Sequence, residues 1–119
     1  MIVTGDLTAA GLEAQRSYWL IVGATTATTT WLSTYGTASF TGPLRTRLLV
    51  LQMYFEVRDP VELHAETRID TDYLPKDPAA RARLAEVIDV DGCLDADGEF
   101  DSFALLRRVA RGERVFRGD

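Results

Sequence analysis

The chain has 119 residues, of which 46% are apolar and 26% charged, and its formal net charge is −5. These values are ordinary for one globular domain that buries a core without disulfides or metals, and they exclude a wholly disordered chain. No apolar run reaches the roughly 18 to 20 residues of a membrane helix, and the start of the chain lacks the basic segment of a secretory signal. We therefore expect a single cytoplasmic domain over residues 1–119.

The charge is unevenly distributed along the chain. Residues 59–101 carry thirteen acids and four basic residues, a net −9, whereas residues 102–119 carry two acids and five arginines, a net +3. Duplex nucleic-acid binding rests on extended basic patches, and the basic tail is too short to form one. We therefore expect neither duplex nucleic acid nor a membrane as a partner.

The chain has one cysteine, Cys93, and one histidine, His64. A disulfide needs two cysteines, and structural zinc sites of the common kinds need several Cys or His ligands. Glycine-rich phosphate loops and serine elbows are missing as well. No cofactor, metal site or catalytic residue is therefore predicted, and Cys93 lies among acids, which disfavour a reactive thiolate.

The first third of the chain contains two ambiguous segments and no recognisable repeat. Asp6 is a good N-cap, so we predict a helix over 7–16, with a strand possible over 18–22. The threonine-rich segment 25–35 predicts a strand, because β-branched residues favour strands. Gly36 and the pair Gly42-Pro43 then interrupt the pattern.

The clearest signal is a predicted β-hairpin that pairs residues 44–57 with residues 61–74. Residues 61–73 alternate strictly between apolar or small and charged side chains, which predicts a strand with one buried face. The preceding segment is apolar on both faces, and Arg58-Asp59-Pro60 is interpreted as the turn. In the preferred antiparallel register, Leu51 faces Ile69, and Arg58 faces Glu62.

Two helices are predicted after the hairpin. Asp77 and Pro78 mark the start of a helix over 78–88, and Asp101 caps a second helix over 102–111. The predicted fold class is therefore α+β: an antiparallel meander of four to five strands with one N-terminal and two C-terminal helices.

The acidic segment 89–101 resembles a calcium loop only superficially. Placing Gly98 at the sixth position of an EF-hand puts Cys93 at the first ligand position and Ala104 at the twelfth. A solvated turn leading into a helix is the better interpretation. His64, which faces Glu56 in the predicted register, is the one acid–base candidate, but no nucleophile accompanies it and we interpret it as a surface residue.

The function predicted from these patterns is contact with other proteins rather than catalysis. In the preferred register, one outward face of the hairpin combines apolar and acidic residues: Leu48, Val50, Tyr54, Glu62, Glu66, Asp70 and Asp72. Extended exposed apolar patches are rare on monomers, so we predict a non-enzymatic interaction or assembly protein that forms a homo-oligomer, with another protein as a further partner. Cover by the chain's own segment 19–22 is the competing explanation.

Two other functions remain open. A small-molecule-binding protein or small enzyme would have a pocket between sheet and helices, lined by aromatics such as Trp19, Trp31 and Tyr54. An acidic inhibitor that imitates nucleic-acid phosphates is the third class, suggested by the acidic segment alone.

Overall fold

The computed structural model describes residues 2–15, 18–33, 36–52, 55–58 and 62–119. The strands of the described residues are β1 (Ile2–Thr4), β2 (Leu7–Gln15), β3 (Tyr18–Val22), β4 (Thr25–Ser33), β5 (Thr37–Phe40), β6 (Leu44–Gln52), β7 (Glu56–Arg58) and β8 (Leu63–Thr71). The helices are α1 (Pro78–Val87) and α2 (Ser102–Ala110), with short 3₁₀ turns at Leu74–Lys76 and Asp91–Cys93.

The strands form two parallel sheets, and the predicted antiparallel meander is wrong. The small sheet has the order β1-β3-β5-β7, and the large sheet has the order β2-β4-β6-β8. The chain alternates between the sheets, so each pair of consecutive strands forms one rung of a β-solenoid-like arrangement. Equivalent positions in the large sheet are residues 7, 25, 44 and 63, which are 18 or 19 residues apart.

The predicted hairpin strands exist, but their pairing differs from the prediction. β6 and β8 pair in parallel, with Leu44 opposite Leu63 and Leu51 opposite Asp70, so the predicted pairing of Leu51 with Ile69 is wrong. Between them the chain passes through β7 in the other sheet. Asp59 and Pro60 of the predicted turn lie outside the described residues. Alternation identifies a strand but not its direction, because parallel and antiparallel strands share the same two-residue period.

The predicted helix over 7–16 is a strand. Residues 7–15 form β2, which pairs in parallel with β4, and the alternative strand over 18–22 is β3. Asp6 does accept a backbone N–H, but the donor is the N–H of Ala24 in the next rung, at 3.0 Å. The residue that resembles a helix cap therefore connects two rungs of the solenoid.

Three glycines stack where the chain turns from the small sheet into the large one. Gly5, Gly23 and Gly42 precede β2, β4 and β6 by two residues each. Gly23 has a φ of +113°, and a Cβ there would lie 2.6 Å from the carbonyl oxygen of Gly5. A Cβ at Gly42 would likewise overlap the carbonyl oxygen of Gly23. Only glycine allows neighbouring rungs to approach this closely.

The large sheet separates two hydrophobic cores. The inner core lies between the two sheets and contains Ile21, Leu32, Phe40, Leu44, Leu49 and Leu51. The outer core lies between the large sheet and the C-terminal region and contains Trp31, Leu48, Val50, Ile69, Leu84 and Leu105. The central strands β4 and β6 are therefore covered on both faces. The two-sided cover predicted for a strand over 44–57 holds for β6, whereas residues 56–58 form β7 in the other sheet.

The alternation of side chains shifts by one residue in the middle of each large-sheet strand. Arg47 and its equivalents, residues 10, 28 and 66, are skipped in the ladder of paired residues. Leu44 and Leu49 consequently both face the inner core although they are five residues apart. In β8 the same shift sends Leu63 to the inner core and Ile69 to the outer core.

Both C-terminal helices lie close to their predicted positions. The Asp77 carboxylate accepts the Ala80 N–H at 3.0 Å, and that of Asp101 accepts the Phe103 N–H at 2.9 Å, so both helices begin with a side-chain cap. α1 packs near β8, and α2 packs on β2 and β4. The helix α2 approaches β2 most closely at Gly11, where a Cβ would collide with the side chain of Leu106. The helices thereby close the outer core.

Candidate functional site

The two ends of the solenoid differ in the side chains that their terminal strands present. In the first rung, β1 pairs with β3 and β2 pairs with β4, and no other described strand pairs with either. Each therefore has one free edge in the described structure, and so do β7 and β8 at the other end, so the two ends differ in the side chains beside their edges. An unpaired edge is a template for pairing with another chain. The free edge of β2 is nine residues, or about 30 Å, long.

The outer face of the small sheet carries exposed apolar side chains next to the free edge of β1. The exposed large apolar residues of β1 and β3 are Ile2, Tyr18, Leu20 and Val22. Ile2 is 72% exposed and lies directly beside Leu20 in the parallel ladder. Farther along the same face, the equivalent positions are Thr37 and Ser39 of β5 and Glu56 of β7. We call the free edges of β1 and β2 and these four apolar residues the N-terminal surface.

The opposite end carries charges on its inward-facing positions. Arg68 and Asp70 of β8 pair with Leu49 and Leu51, so their side chains stand on the sheet face that lines the inner core. The two side chains form an ion pair at 2.9 Å between Nε and Oδ2. Inward-pointing charges at the end of a sheet discourage stacking of another chain, because docking there would desolvate them. The last rung therefore carries charges beside its unpaired edge, whereas the first rung carries apolar side chains.

The apolar residues of the predicted interaction face are in fact part of the outer core. Leu48 and Val50 are both 0% exposed and lie beneath the C-terminal helices. Their assignment to an outward-facing, partner-binding face is wrong, because the C-terminal region covers them. The segment 19–22, which was the competing cover, instead forms β3 and places Ile21 in the inner core. Tyr54, the third apolar residue of that predicted face, lies outside the described residues.

The four acids of the predicted face are exposed but do not form one surface with those apolar residues. Glu62, Glu66, Asp70 and Asp72 are all exposed. The Glu66 carboxylate accepts a hydrogen bond from Arg47 Nε at 3.2 Å, and Asp70 forms an ion pair with Arg68. Asp70 stands on the inner-core side of the large sheet, so the sheet separates this acid from the helix-covered residues.

Arg47 fastens the end of the chain to the large sheet. Its guanidinium donates two hydrogen bonds to Asp119, at 2.8 and 3.0 Å, and lies 4.0 Å from the centroid of the Phe116 ring. The hydrogen bond from Arg47 lowers the pKa of Asp119, and the same bond raises the pKa of the arginine. This contact is structural, since it holds Phe116 in the outer core.

The catalytic candidates weighed from the sequence occupy structural positions. The His64 Nε2 lies 3.2 Å from Glu62 on the exposed side of β8, and its predicted partner Glu56 belongs to the other sheet. Cys93 is buried, and burial raises the pKa of its thiol. The Arg108 guanidinium donates to its sulfur at 3.6 Å. A buried, protonated thiol is a poor nucleophile.

The acidic segment 89–101 folds as a turn that bonds to its own backbone. One carboxylate oxygen of Asp95 accepts the N–H groups of Asp97 and Glu99, at 2.9 and 3.0 Å. Across residues 2–15, 18–33, 36–52, 55–58 and 62–119, no group of three or more acidic, histidine or cysteine side chains could hold a metal ion. The aromatics predicted to share a pocket are separated, because Trp19 packs on the inner core and Trp31 on the outer core.

The N-terminal surface was missed because the rung repeat was missed. A signal for the repeat exists: Gly5-Asp6-Leu7, Gly23-Ala24-Thr25 and Gly42-Pro43-Leu44 recur at intervals of 18 and 19 residues. A recurring interval near 20 residues is typical of solenoids. Recognising it would have placed residues 2–15 in the first rung, with free edges.

Comparison with protein-family models, curated proteins and solved structures finds no match to this chain. None of the helices in the described parts of the chain is both long and apolar enough to cross a membrane. The function is therefore argued from the geometry of the chain itself.

Proposed function

We propose that this protein is a non-enzymatic assembly protein that associates with a second copy of itself through the N-terminal surface. The observation that carries the proposal is the contrast between the ends of the solenoid. Both end rungs have unpaired strand edges among the described strands, but those of the first rung lie beside exposed apolar residues, whereas the last strand of the large sheet carries an ion pair on the face that lines the inner core. Solenoids need polar terminal repeats to stay unassociated, and only one end of this solenoid has that character.

A second copy suits the N-terminal surface better than the opposite end of another molecule does. Head-to-tail stacking in the register of the solenoid would place Leu12 of the first rung against Arg68 of a neighbour's last rung, which is paired with Asp70. That contact would remove an ion pair from water, which costs free energy. Burying apolar groups against each other is favourable instead. Contact between two N-terminal surfaces leaves both charged ends in water.

Two copies related by a two-fold axis would pair their β2 strands antiparallel. The axis runs perpendicular to the strands, so each residue contact occurs twice and the assembly closes as a dimer. Antiparallel pairing is at least as stable per residue as the parallel pairing inside each rung. Ile2, which is 72% exposed, would lose part of that exposure near the contact. The proposed assembly is therefore a closed dimer and not a fibre.

Light scattering after size-exclusion chromatography, from 1 to 200 μM, tests this proposal. We expect a mass of twice the 13.2 kDa of the chain. The double variant Ile2→Lys/Leu20→Lys should give the monomer mass, because it places two charges among the apolar residues of the N-terminal surface beside the paired β2 edges. The matched control is His64→Lys, an exposed position of the last rung that is equivalent to Thr8 of the first rung.

Circular dichroism spectra check that each variant is folded before its mass is interpreted. A wild-type monomer over the whole concentration range would contradict the proposal. A mass that falls in His64→Lys but not in the double variant would contradict the proposal, because it would place the contact at the last rung. A mass that grows without limit with concentration would indicate head-to-tail stacking instead of a closed dimer.

A further inference from the structure

A pocket with a volume of about 350 Å³ opens on the outer side of the large sheet. It lies between the end of β6, the start of α1 and the loop that precedes α2, far along the chain from the N-terminal surface. Small-molecule sites in proteins usually measure about 300–1,000 Å³ and combine an apolar lining with a few polar groups. The size and position of this pocket therefore fit a small ligand.

The floor and one wall of the pocket are apolar. Trp31 is only 2% exposed and stacks on Phe100, with 5.5 Å between ring centroids and 27° between ring planes. Leu74 and Leu84 complete the lining on the α1 side, and both are buried. A ligand with a flat apolar body would fill this space and bury its rings against aromatic carbon.

The polar groups on the α1 side of the pocket are hydrogen-bond donors. The Gln52 Oε1 accepts the Leu74 N–H at 3.1 Å, which fixes the orientation of the carboxamide and leaves its NH₂ group as the available donor. Arg81 lines the same pocket, and no carboxylate of the described residues lies within 4.0 Å of its guanidinium, although its charge contributes to lowering the pKa of Asp77. A guanidinium and an amide NH₂ together favour an acceptor-rich, anionic group.

The remaining polar residues restrict the ligand further. Glu99 lines the pocket from the loop before α2, and its negative charge disfavours an anion on that wall. The Ser102 hydroxyl is engaged as a donor to Glu13 at 3.3 Å. An anionic group therefore has one favourable orientation, towards Arg81 and Gln52.

We propose that this pocket binds a small aromatic carboxylate, with its ring system beside Trp31 and Phe100 and its carboxylate on Arg81 and Gln52. The site does not depend on self-association, because none of its residues belongs to the N-terminal surface. The ligand class follows from the presence of the stacked Trp31 and Phe100 rings and the Gln52 and Arg81 donors in one pocket.

Isothermal titration calorimetry of the full chain with 2-naphthoate and with its neutral analogue 2-naphthamide tests the proposal. We expect 2-naphthoate to bind more tightly than 2-naphthamide. Arg81→Gln should weaken 2-naphthoate about fivefold and leave 2-naphthamide unchanged, which is the size of effect typical of an exposed ion pair. The matched control is Arg83→Gln, two residues further along α1, at an exposed position that does not line the pocket.

The indole N–H resonances in NMR spectra locate the ligand independently of the variants. The Trp31 resonance should shift on addition of 2-naphthoate, and the Trp19 resonance, which belongs to an indole on the inner core, should not. Equal affinities for the acid and the amide, equal effects of the two arginine variants, or no binding at millimolar concentration would each overturn the proposal. A shift of Trp19 alone would overturn it as well.

Discussion

The inner and outer cores differ in what closes them, although they share the two faces of one sheet. Leu49 and Val50 are consecutive in β6 and both are 0% exposed, yet each belongs to a different core. The inner core is closed by coiling of the chain, with partners one rung apart. The outer core is closed by α1, α2 and the chain end, which arrive after the last rung. The two apolar faces of β6 are therefore buried by two different parts of the chain, and each core can be tested by its own substitution.

The largest expected effect comes from placing a charge in the outer core. Val50→Asp buries a carboxylate without a partner, and such changes cost about 3–5 kcal/mol, a large part of the stability of a small domain. We expect the variant to be unfolded or nearly so in urea titrations followed by circular dichroism. The control Arg45→Asp lies on the same strand at an exposed position and should change stability by less than about 1 kcal/mol. A folded, monomeric Val50→Asp would mean that the helices do not seal this face.

A smaller effect is expected from the turns that stack the rungs around the inner core. Gly23→Ala should destabilise the protein by more than Gly98→Ala, because both glycines have a positive φ but only Gly23 lacks space for a Cβ. The backbone strain that both variants share is about 1–2 kcal/mol. The difference between their free energies of unfolding therefore measures the close approach of neighbouring rungs. Equal losses in the two variants would show that this approach relaxes easily.

The smallest effect is expected at the contact that pins the chain end over the outer core. The hydrogen bond from Arg47 lowers the pKa of Asp119, so the folded state binds this proton less readily than the unfolded state. Its contribution to stability is complete above the ordinary carboxyl pKa of about 3.9 and is lost as pH falls through the lower folded value. Asp119→Asn should reduce stability slightly at pH 7 and flatten its decline below pH 4.

Thermal unfolding at pH 7, 4 and 2.5 provides the measurement for Asp119. The control Asp97→Asn changes an exposed acid whose backbone N–H donates to Asp95, a bond that does not involve the Asp97 carboxylate. If both variants lose stability with pH in the same way as the wild type, the Arg47 contact does not stabilise the fold.

Local signals in the sequence determined which segments are strands and helices in the second half of the chain. Alternation located β8, the apolar segment located β6, and Asp77 and Asp101 marked the starts of α1 and α2. These features depend on neighbouring residues, so they can be predicted without knowing the fold. In the first rung the same local reasoning predicted a helix, because Asp6 resembles a cap while its real donor is 18 residues away.

Only the tertiary structure decided the pairing of the strands, the division into two cores and the candidate surface. Strand direction is not encoded in alternation, and pairing between residues 18 or 19 apart becomes favourable only when several rungs stack and share an interior. The shift at Arg47 places Leu44 in the inner core and Leu48 and Val50 in the outer core, so burial of Leu48 and Val50 depends on helices that lie much later in the chain. The sequence by itself therefore indicated β6, β8 and the two helices, because their signals are local, whereas the stacking of the rungs with their helical cover determined which side chains remain exposed.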